Sequence, residues 1–260
     1  MEFSQVLLDL NDLADTGPNW WAISKLRAYA LQTEPFVHID DDVFLWNPLP
    51  QRLETAQVFA QHPEWHEYGR SFYKPEFFEH AIYNQGGWLP TELSHYVHPS
   101  GYLRAENCGI LGGSNIDFIN YYASQALELI NHPLNQPVWV NLERKDNHFI
   151  LIEQYFLAAC IEFHKNNKES NFYGIDIEYL FPSYQAAVKT APAMGFTHLI
   201  ASAKRNPSLL DRLEQRVRTD YPHRYQRCLE LLETIPRRNG EKGRLPDAAD
   251  PRSSRSDAAD

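Results

Sequence analysis

The apolar segment PFVHI, residues 35–39, runs directly into three consecutive aspartates at positions 40–42. Its opening proline and its aromatic and β-branched residues predict a buried β-strand. Adjacent carboxylates repel one another, and burying one of them without a partner costs several kcal/mol. We therefore expect the fold to bring positive charge to the end of this strand.

Three interpretations of the aspartates compete. On an extended backbone Asp40 and Asp42 point to one side and Asp41 to the other, and two such carboxylates suit Mg²⁺ or Mn²⁺ that carries a substrate diphosphate. The acids could instead be solvated and cap a neighbouring helix. They also match the first motif of a haloacid-dehalogenase-type phosphatase, but that site needs a later acidic pair, and no two acidic residues are adjacent after Asp42.

A late segment, THLIASAKRN, favours the metal interpretation. It places His198 at the end of an apolar run and Lys204 six residues further on. A neutral imidazole can give one nitrogen to a metal ion, and a lysine can give a point charge to a phosphate. Both residues are therefore candidates for the same site as the aspartates.

These residues, in this order, resemble the GT-A-fold glycosyltransferases, especially glycosyltransferase family 8 and its relatives. In that family an Asp-x-Asp motif binds Mn²⁺, the metal holds the diphosphate of a nucleotide-sugar, and a late His-x-x-Gly-x-Lys motif adds a third ligand and a phosphate contact. The resemblance implies that Asp40, Asp42 and His198 hold Mn²⁺ or Mg²⁺ and that Lys204 contacts the donor. Ala201 replaces the glycine of the late motif, and the spacing to the lysine is one residue longer.

Two further segments are similar to donor-binding parts of that family. WWAISKLRAYAL precedes the aspartates where relatives carry a Ser-Asp-x-x-Arg helix, which implies donor contacts from Ser24 and Lys25. ENCGILGG resembles the turn that shapes the sugar and acceptor pocket. There Asn107 would hydrogen-bond hydroxyl groups, while Gly112 and Gly113 would let the backbone approach a ligand closely.

The helix segment ILIEQYFLAA carries two polar residues, Glu153 and Gln154, in an otherwise apolar run. A buried glutamate is costly unless it meets a basic residue or faces a cleft. In similar transferases an acidic or amide residue on such a helix lies under the reacting sugar. The resemblance therefore implies a catalytic role for Glu153, with Gln154 as its neighbour.

The first half of the chain alternates between strands and helices. Residues 16–32 predict a helix, and residues 104–132 predict a short strand, a glycine turn and a helix capped by Ser114 or Asn115. Residues 53–93, rich in aromatics, histidine and proline, predict loops and short helices around a cleft. This alternation is typical of an α/β fold.

The second half continues the alternation, with a helix over residues 146–167 and a strand, a loop and two helices over residues 197–235. With the resemblance, we expect a GT-A-like, Rossmann-type mixed sheet flanked by helices, in one domain over residues 1–235. About forty residues precede the aspartates, so we expect either that the N-terminus is shortened relative to that family or that this part is built differently. The polar stretch 236–260 repeats DAAD and predicts a disordered tail.

The composition limits the classes of partner. A formal net charge of −10 argues against a general nucleic-acid binder. Three widely spaced cysteines indicate neither a zinc site nor a disulfide framework, which is typical of a cytoplasmic protein. Without a signal peptide or a run of eighteen apolar residues, we expect no transmembrane segment.

The sequence thus predicts a metal-dependent glycosyltransferase that uses a nucleotide-sugar donor. Family 8 implies retention at the anomeric carbon, and the acceptor could be a saccharide, a lipid or a peptide. A non-catalytic sugar- or protein-binding domain of the same fold is the main alternative, and the phosphatase is the third.

Overall fold

The computed structural model describes residues 21–67, 75–96, 102–142 and 150–234. The chain forms two compact units, Met1–Ile200 and Ala201–Asp260. The predicted tail at 236–260 lies outside the described residues, as does the domain boundary expected after residue 235.

The first unit is built on a four-stranded mixed sheet in the order β1-β4-β3-β5. Strand β4 pairs antiparallel with both β1 and β3, whereas β5 pairs parallel with β3. Strands β2 and β6 form a separate antiparallel pair. The strands are β1 (Phe36–Ile39), β2 (Val43–Leu45), β3 (Val58–Glu67), β4 (Tyr102–Gly113), β5 (Ile177–Tyr179) and β6 (Phe196–His198).

Helices flank this sheet, so the predicted mixed α/β architecture is confirmed. Helix α1 packs against α4, and their buried faces share a core with the helical segment that follows residue 150. The helices of the first unit are α1 (Trp21–Ala30), α2 (Pro75–Asn84), α3 (Thr91–His95), α4 (Ile116–Asn131), α5 (Gln136–Asn141), α6 (Phe156–Asn166) and α7 (Tyr184–Met194). A π-helical turn, Leu151–Tyr155, leads into α6.

The predicted boundaries of α4 and the predicted end of α6 agree with the structure, whereas the start predicted at residue 146 lies outside the described residues. Asn115 caps α4 by accepting a hydrogen bond from the backbone N–H of Phe118 at 3.1 Å, which satisfies one of the free amides of the first turn. The helix predicted over residues 146–167 is present as the π-helical turn and α6. In both segments the apolar periodicity faces the core of the first unit.

The prediction of loops and short helices over residues 53–93 is wrong in its first part, where β3 forms the second-longest strand. Pro63 and several polar residues weaken the sequence signal for a strand. Pairing with the long strand β4 on one side and β5 on the other overrides that weak propensity. Gln61 and His62 are buried there in spite of their polar side chains.

Two expectations around β1 also need correction. Its side chains alternate between half-buried and exposed, with Val37 48% exposed, so the strand is less buried than predicted. The glycine turn expected at Gly112 and Gly113 is instead the end of β4. A Cβ at Gly112 would clash with the carbonyl oxygen of Phe36, so this glycine allows close approach of a neighbouring strand.

The second unit contains a 3₁₀ turn, Ala201–Arg205, followed by helices α8, Pro207–Asp220, and α9, Pro222–Thr234. Asn206 caps α8 by accepting from the backbone N–H of Leu209 at 3.2 Å. The predicted strand, loop and pair of helices broken at a proline are therefore confirmed. Within the described part of the chain, every helix is too short or too polar to cross a bilayer.

Glu106 is a fully buried carboxyl group in β4. It contacts Nε of Arg104 at 2.9 Å and accepts a hydrogen bond from the Tyr179 hydroxyl at 2.9 Å. Burial raises its pKa, Arg104 and Tyr179 lower it, and Glu64 raises it, so that the pKa reaches about 7. The group therefore holds its proton more tightly in the folded protein than in the unfolded chain.

We predict that Glu106→Gln removes a pH-dependent part of the stability. Because the folded pKa is raised above 4.5, the stabilisation from Glu106 is present below pH 4.5 and is lost as the pH rises through about 7. Relative to the variant, the free energy of unfolding of the wild type should fall by on the order of 3 kcal/mol over this window. Urea denaturation at a series of pH values measures the difference.

The exposed Glu178 in strand β5 of the same sheet provides the matched control. Glu178→Gln should leave the pH dependence of unfolding as in the wild type. The prediction would be contradicted if the free energy of unfolding changed with pH in parallel in the wild type and in Glu106→Gln.

Candidate metal centre

Asp40, Asp42 and His198 lie together in the first unit. Each offers one ligand atom, and the three atoms lie within 4.8 Å of one another. All three side chains are partly buried. The structure thus brings together the residues that the sequence proposes as metal ligands, although more than 150 residues separate the histidine from the aspartates.

A turn and a strand pair bring these residues together. The backbone N–H of Val43 donates to the carbonyl of Asp40 at 3.0 Å, so the chain turns instead of continuing as an extended strand. Val43 then pairs with His198 in the β2–β6 ladder, and the N–H of Leu199 donates to the carbonyl of Asp42 at 3.0 Å. The expected alternation of the aspartates along an extended backbone is therefore wrong.

The imidazole of His198 is held on both sides. Its Nδ1 lies 2.8 Å from Oε1 of Gln61, and its Nε2 lies 3.4 Å from Oδ1 of Asp42. Gly109 passes beside this pair, and a Cβ there would lie 2.5 Å from Cε1 of the imidazole. The backbone N–H of Asp40 donates to the carbonyl of Gly109 at 3.0 Å, so one segment of β4 contacts both parts of the site.

Lys25 of α1 provides the positive charge beside the aspartates. Its Nζ lies 2.9 Å from Oδ1 of Asp40 and 2.6 Å from Oε1 of Glu153, and it donates to the carbonyl of Cys108 at 3.4 Å. Burial lowers the pKa of Lys25, but Glu153 and Asp40 raise it by more, so the ammonium stays charged. Lys25 therefore links two carboxylates from distant parts of the chain.

His38 is a second neighbour of Asp40, with its Nε2 2.9 Å from Oδ1 of that residue. Burial raises the pKa of Asp40, but the hydrogen bond from His38 and the charge on Lys25 outweigh burial and lower it below its ordinary value. Asp40 is therefore held as a carboxylate, which is the form that binds a metal ion.

Glu153 is fully buried and lies on the π-helical turn Leu151–Tyr155. The hydroxyl of Tyr122 donates to its backbone carbonyl at 2.6 Å, and the hydroxyl of Tyr29 lies 3.4 Å from Oε1. Single π-helical turns often occur at functional sites because they shift a side chain out of the ordinary helical register. Here the turn places the side chain of Glu153 next to the Lys25 ammonium.

Two further predicted residues are the immediate chain neighbours of Lys25 and Glu153. Ser24 precedes Lys25 on α1, and Gln154 follows Glu153 on the π-helical turn; both are partly buried. Asn107 is used within the protein, since its Nδ2 donates to Glu64 at 2.7 Å and its Oδ1 accepts from the Gly109 N–H at 3.1 Å.

The remaining predicted residues are Gly112, Gly113 and Lys204. Gly112 and Gly113 contact the backbone of neighbouring strands: a Cβ at Gly113 would clash with the carbonyl of Gln57. Lys204 lies on the 3₁₀ turn of the second unit, so its contact with a donor stays a prediction.

Sequence analysis missed His38, Gln61 and Gly109. A signal for His38 was present, because residues two apart on a strand point to the same side and His38 precedes Asp40 by two. Gln61 and Gly109 carry no comparable signal, since a glutamine and a strand glycine have many structural roles. Their relation to His198 arises only from tertiary contacts that bring β3 and β4 next to β6, which pairs with β2 in a separate sheet.

The donor set fits a divalent cation. Two carboxylates and one imidazole suit Mn²⁺, which accepts oxygen and nitrogen ligands, and also suit Mg²⁺ less specifically. The side chains of Asp42 and His198 are 14% and 11% exposed, so the ligands are shielded but reachable. A site of this kind still has positions for ligands from a bound molecule.

A second polar cluster lies elsewhere in the first unit. His164 contacts Ser170 Oγ through Nδ1 at 2.6 Å and Glu92 Oε1 through Nε2 at 3.1 Å. The same Ser170 oxygen accepts from the backbone N–H of Phe172 at 2.9 Å, and the Tyr121 hydroxyl donates to Glu92. Because each contact fixes a loop or a helix, we interpret this cluster as a structural link between α3, α4 and α6.

The fold, together with the cluster of Asp40, Asp42 and His198, defines a mixed α/β protein with a candidate divalent-cation site. Residues 1–231 match DUF6734, a family of unknown function, and the chain belongs to that family. Comparisons with curated proteins and with solved structures gave no match.

We predict that Lys25→Met destabilises the protein strongly. The substitution leaves the buried carboxylate of Glu153 without its cation, and breaking a buried ion pair from one side typically costs 3–5 kcal/mol. Lys25→Met combined with Glu153→Gln should cost less than the sum of the single changes, with a coupling of about 1–3 kcal/mol. Urea denaturation of the four proteins measures this cycle.

The exposed Lys189 on α7 provides the control, and Lys189→Met should change the free energy of unfolding by no more than about 0.5 kcal/mol. Additive effects of the Lys25 and Glu153 substitutions would show that the ion pair does not hold α1 to the π-helical turn.

Proposed function

We propose that this protein is a metal-dependent glycosyltransferase that uses a nucleotide-sugar donor, with a GT-A-like arrangement of its sheet. The observation that carries the proposal is the convergence of Asp40, Asp42 and His198 within 4.8 Å. Their convergence through a turn and a strand pair supports a common role.

The chain's own residues would prepare the site for a diphosphate. A cation bound to the three ligands would neutralise the charge that develops on the departing nucleoside diphosphate. Lys25 and His38 keep Asp40 ionised and oriented through contacts of 2.9 Å each. We propose that Ser24 and Lys204 add donor contacts, the latter as a point charge for phosphate.

Glu153 is the proposed catalytic residue, with Gln154 beside it. Its carboxylate lies 2.6 Å from Lys25, which itself contacts the ligand Asp40. Two contacts thus connect Glu153 to the proposed donor site, where we propose that it counters the positive charge that develops on the sugar ring during transfer. Electrostatic stabilisation of that kind is strongest in a shielded site such as this one.

The ligand set favours the transferase over the phosphatase. A dehalogenase-type site would need a further acidic pair near the first two aspartates. Among the described residues, the third potential ligand is His198, and Glu153 is held by Lys25. An imidazole as third ligand is what the late motif of the transferases implies.

We predict that Mn²⁺ and a nucleoside diphosphate together stabilise the folded protein. A ligand at one hundred times its dissociation constant adds about 2.7 kcal/mol to the free energy of unfolding. Thermal unfolding with a panel of nucleoside diphosphates and nucleotide-sugars, with and without Mn²⁺, measures the effect. Asp42→Asn and His198→Ala should remove the metal-dependent part, because each deletes one ligand.

Asp41→Asn is the matched control, since Asp41 carries the same charge next to the ligands but is exposed and lies outside the cluster. It should retain the stabilisation. Mn²⁺ binding without any nucleotide effect would instead favour the non-catalytic binding domain. Hydrolysis of phosphate monoesters that requires Mg²⁺ and Asp40 would favour the phosphatase, and no response to any ligand would contradict the proposal.

A further inference from the structure

We propose that Gln61 is a positioning residue that sets the tautomer and orientation of His198 and so directs Nε2 of the imidazole toward the cation. This inference rests on the proposed function. Gln61 is not itself one of the three candidate ligands. Groups of this kind fix the ring orientation and raise the basicity of a ligating histidine.

Gln61 is itself fixed before it contacts His198. It lies on β3, is 2% exposed, and its backbone carbonyl accepts from the N–H of Phe181 at 2.9 Å. The β3–β4 register shifts between Ala60 and His62, which is the position of Gln61. The side chain therefore projects from the irregular point of the sheet and reaches β6.

The contact decides which imidazole nitrogen carries the proton. The amide oxygen of Gln61 is only an acceptor, so Nδ1 of His198 must donate across the 2.8 Å distance. A neutral imidazole has one N–H, which leaves the lone pair on Nε2. That nitrogen faces Asp42 Oδ1 at 3.4 Å, where a shared cation would have ligands on both sides.

Gly109 preserves the space for this pair. A Cβ at that position would clash with Oε1 of Gln61 and would lie 2.6 Å from Nδ1 of His198. The carbonyl of Gly109 accepts from the backbone N–H of Asp40 at 3.0 Å. One residue without a side chain therefore allows the histidine contact and at the same time holds the aspartate end of the site.

The test compares two substitutions of Gln61 that differ in the acceptor. Gln61→Met keeps the length of the side chain and removes the acceptor, whereas Gln61→Glu keeps an oxygen acceptor. Imidazole ¹⁵N NMR of the metal-free proteins reports the tautomer, and His198→Ala identifies the signals of that residue among the eleven histidines. Calorimetric titration with Mn²⁺ alone reports affinity, and urea denaturation checks that each variant is folded.

We expect the Nδ1–H tautomer in the wild type and in Gln61→Glu. Gln61→Met should lose that preference and bind Mn²⁺ about 10–100-fold more weakly, while Gln61→Glu retains most of the affinity. A role in packing alone predicts instead that both variants lose stability without any change of tautomer.

Two results would overturn the inference. One is an Nε2–H tautomer of His198 in the wild type, and the other is unchanged tautomer and Mn²⁺ affinity in a folded Gln61→Met variant. Loss of Mn²⁺ binding in His198→Ala, together with the second result, would leave the proposed function standing. Absence of Mn²⁺ binding to the wild type would contradict the proposed function itself, while the NMR spectra would still decide whether Gln61 sets the tautomer.

Discussion

The ion pairs of Lys25 are the interaction on which the candidate site depends. Its ammonium lies between Asp40, at the end of β1, and Glu153, on the π-helical turn. Moving a lysine into a partly buried position is unfavourable unless carboxylates compensate, and two of them do so here. The same charge keeps Asp40 ionised, so a contact that joins α1, β1 and the π-helical turn also keeps a candidate metal ligand charged.

Strand β4 supplies backbone contacts to the same part of the site. Ala60 pairs with its Leu111 and His62 with its Asn107, so β4 is longer than β3 between these pairs and must bulge. The bulged segment offers the carbonyl of Cys108 to Lys25 and the carbonyl of Gly109 to Asp40. β-Bulges often redirect groups next to functional sites, and this bulge directs two carbonyl groups toward Lys25 and Asp40.

Sequence patterns selected three residues that lie together, the candidate ligands, more accurately than they predicted the sheet. Asp40, Asp42 and His198 are residue types whose chemistry is evident without a structure, and their order matches a known motif. Strand β3 was missed because Pro63 and its polar neighbours have little strand propensity, and only pairing with β4 and β5 stabilises it there. Gln61 was beyond sequence reasoning, because its importance comes from a contact with a strand 137 residues away.

The charges of the cluster are distributed unevenly around the candidate site. The charged and titratable members are Asp40, Asp42, Glu153, Lys25, His38 and His198. The carboxyl groups outnumber the single ammonium, and ionised carboxylates repel one another strongly in a shielded region. Lys25 lies on the side of Asp40 and Glu153, whereas Asp42 lies beside the imidazole. A divalent cation between Asp42, His198 and Asp40 would offset the repulsion between the two aspartates, and a neutral sugar or a nucleotide alone would not.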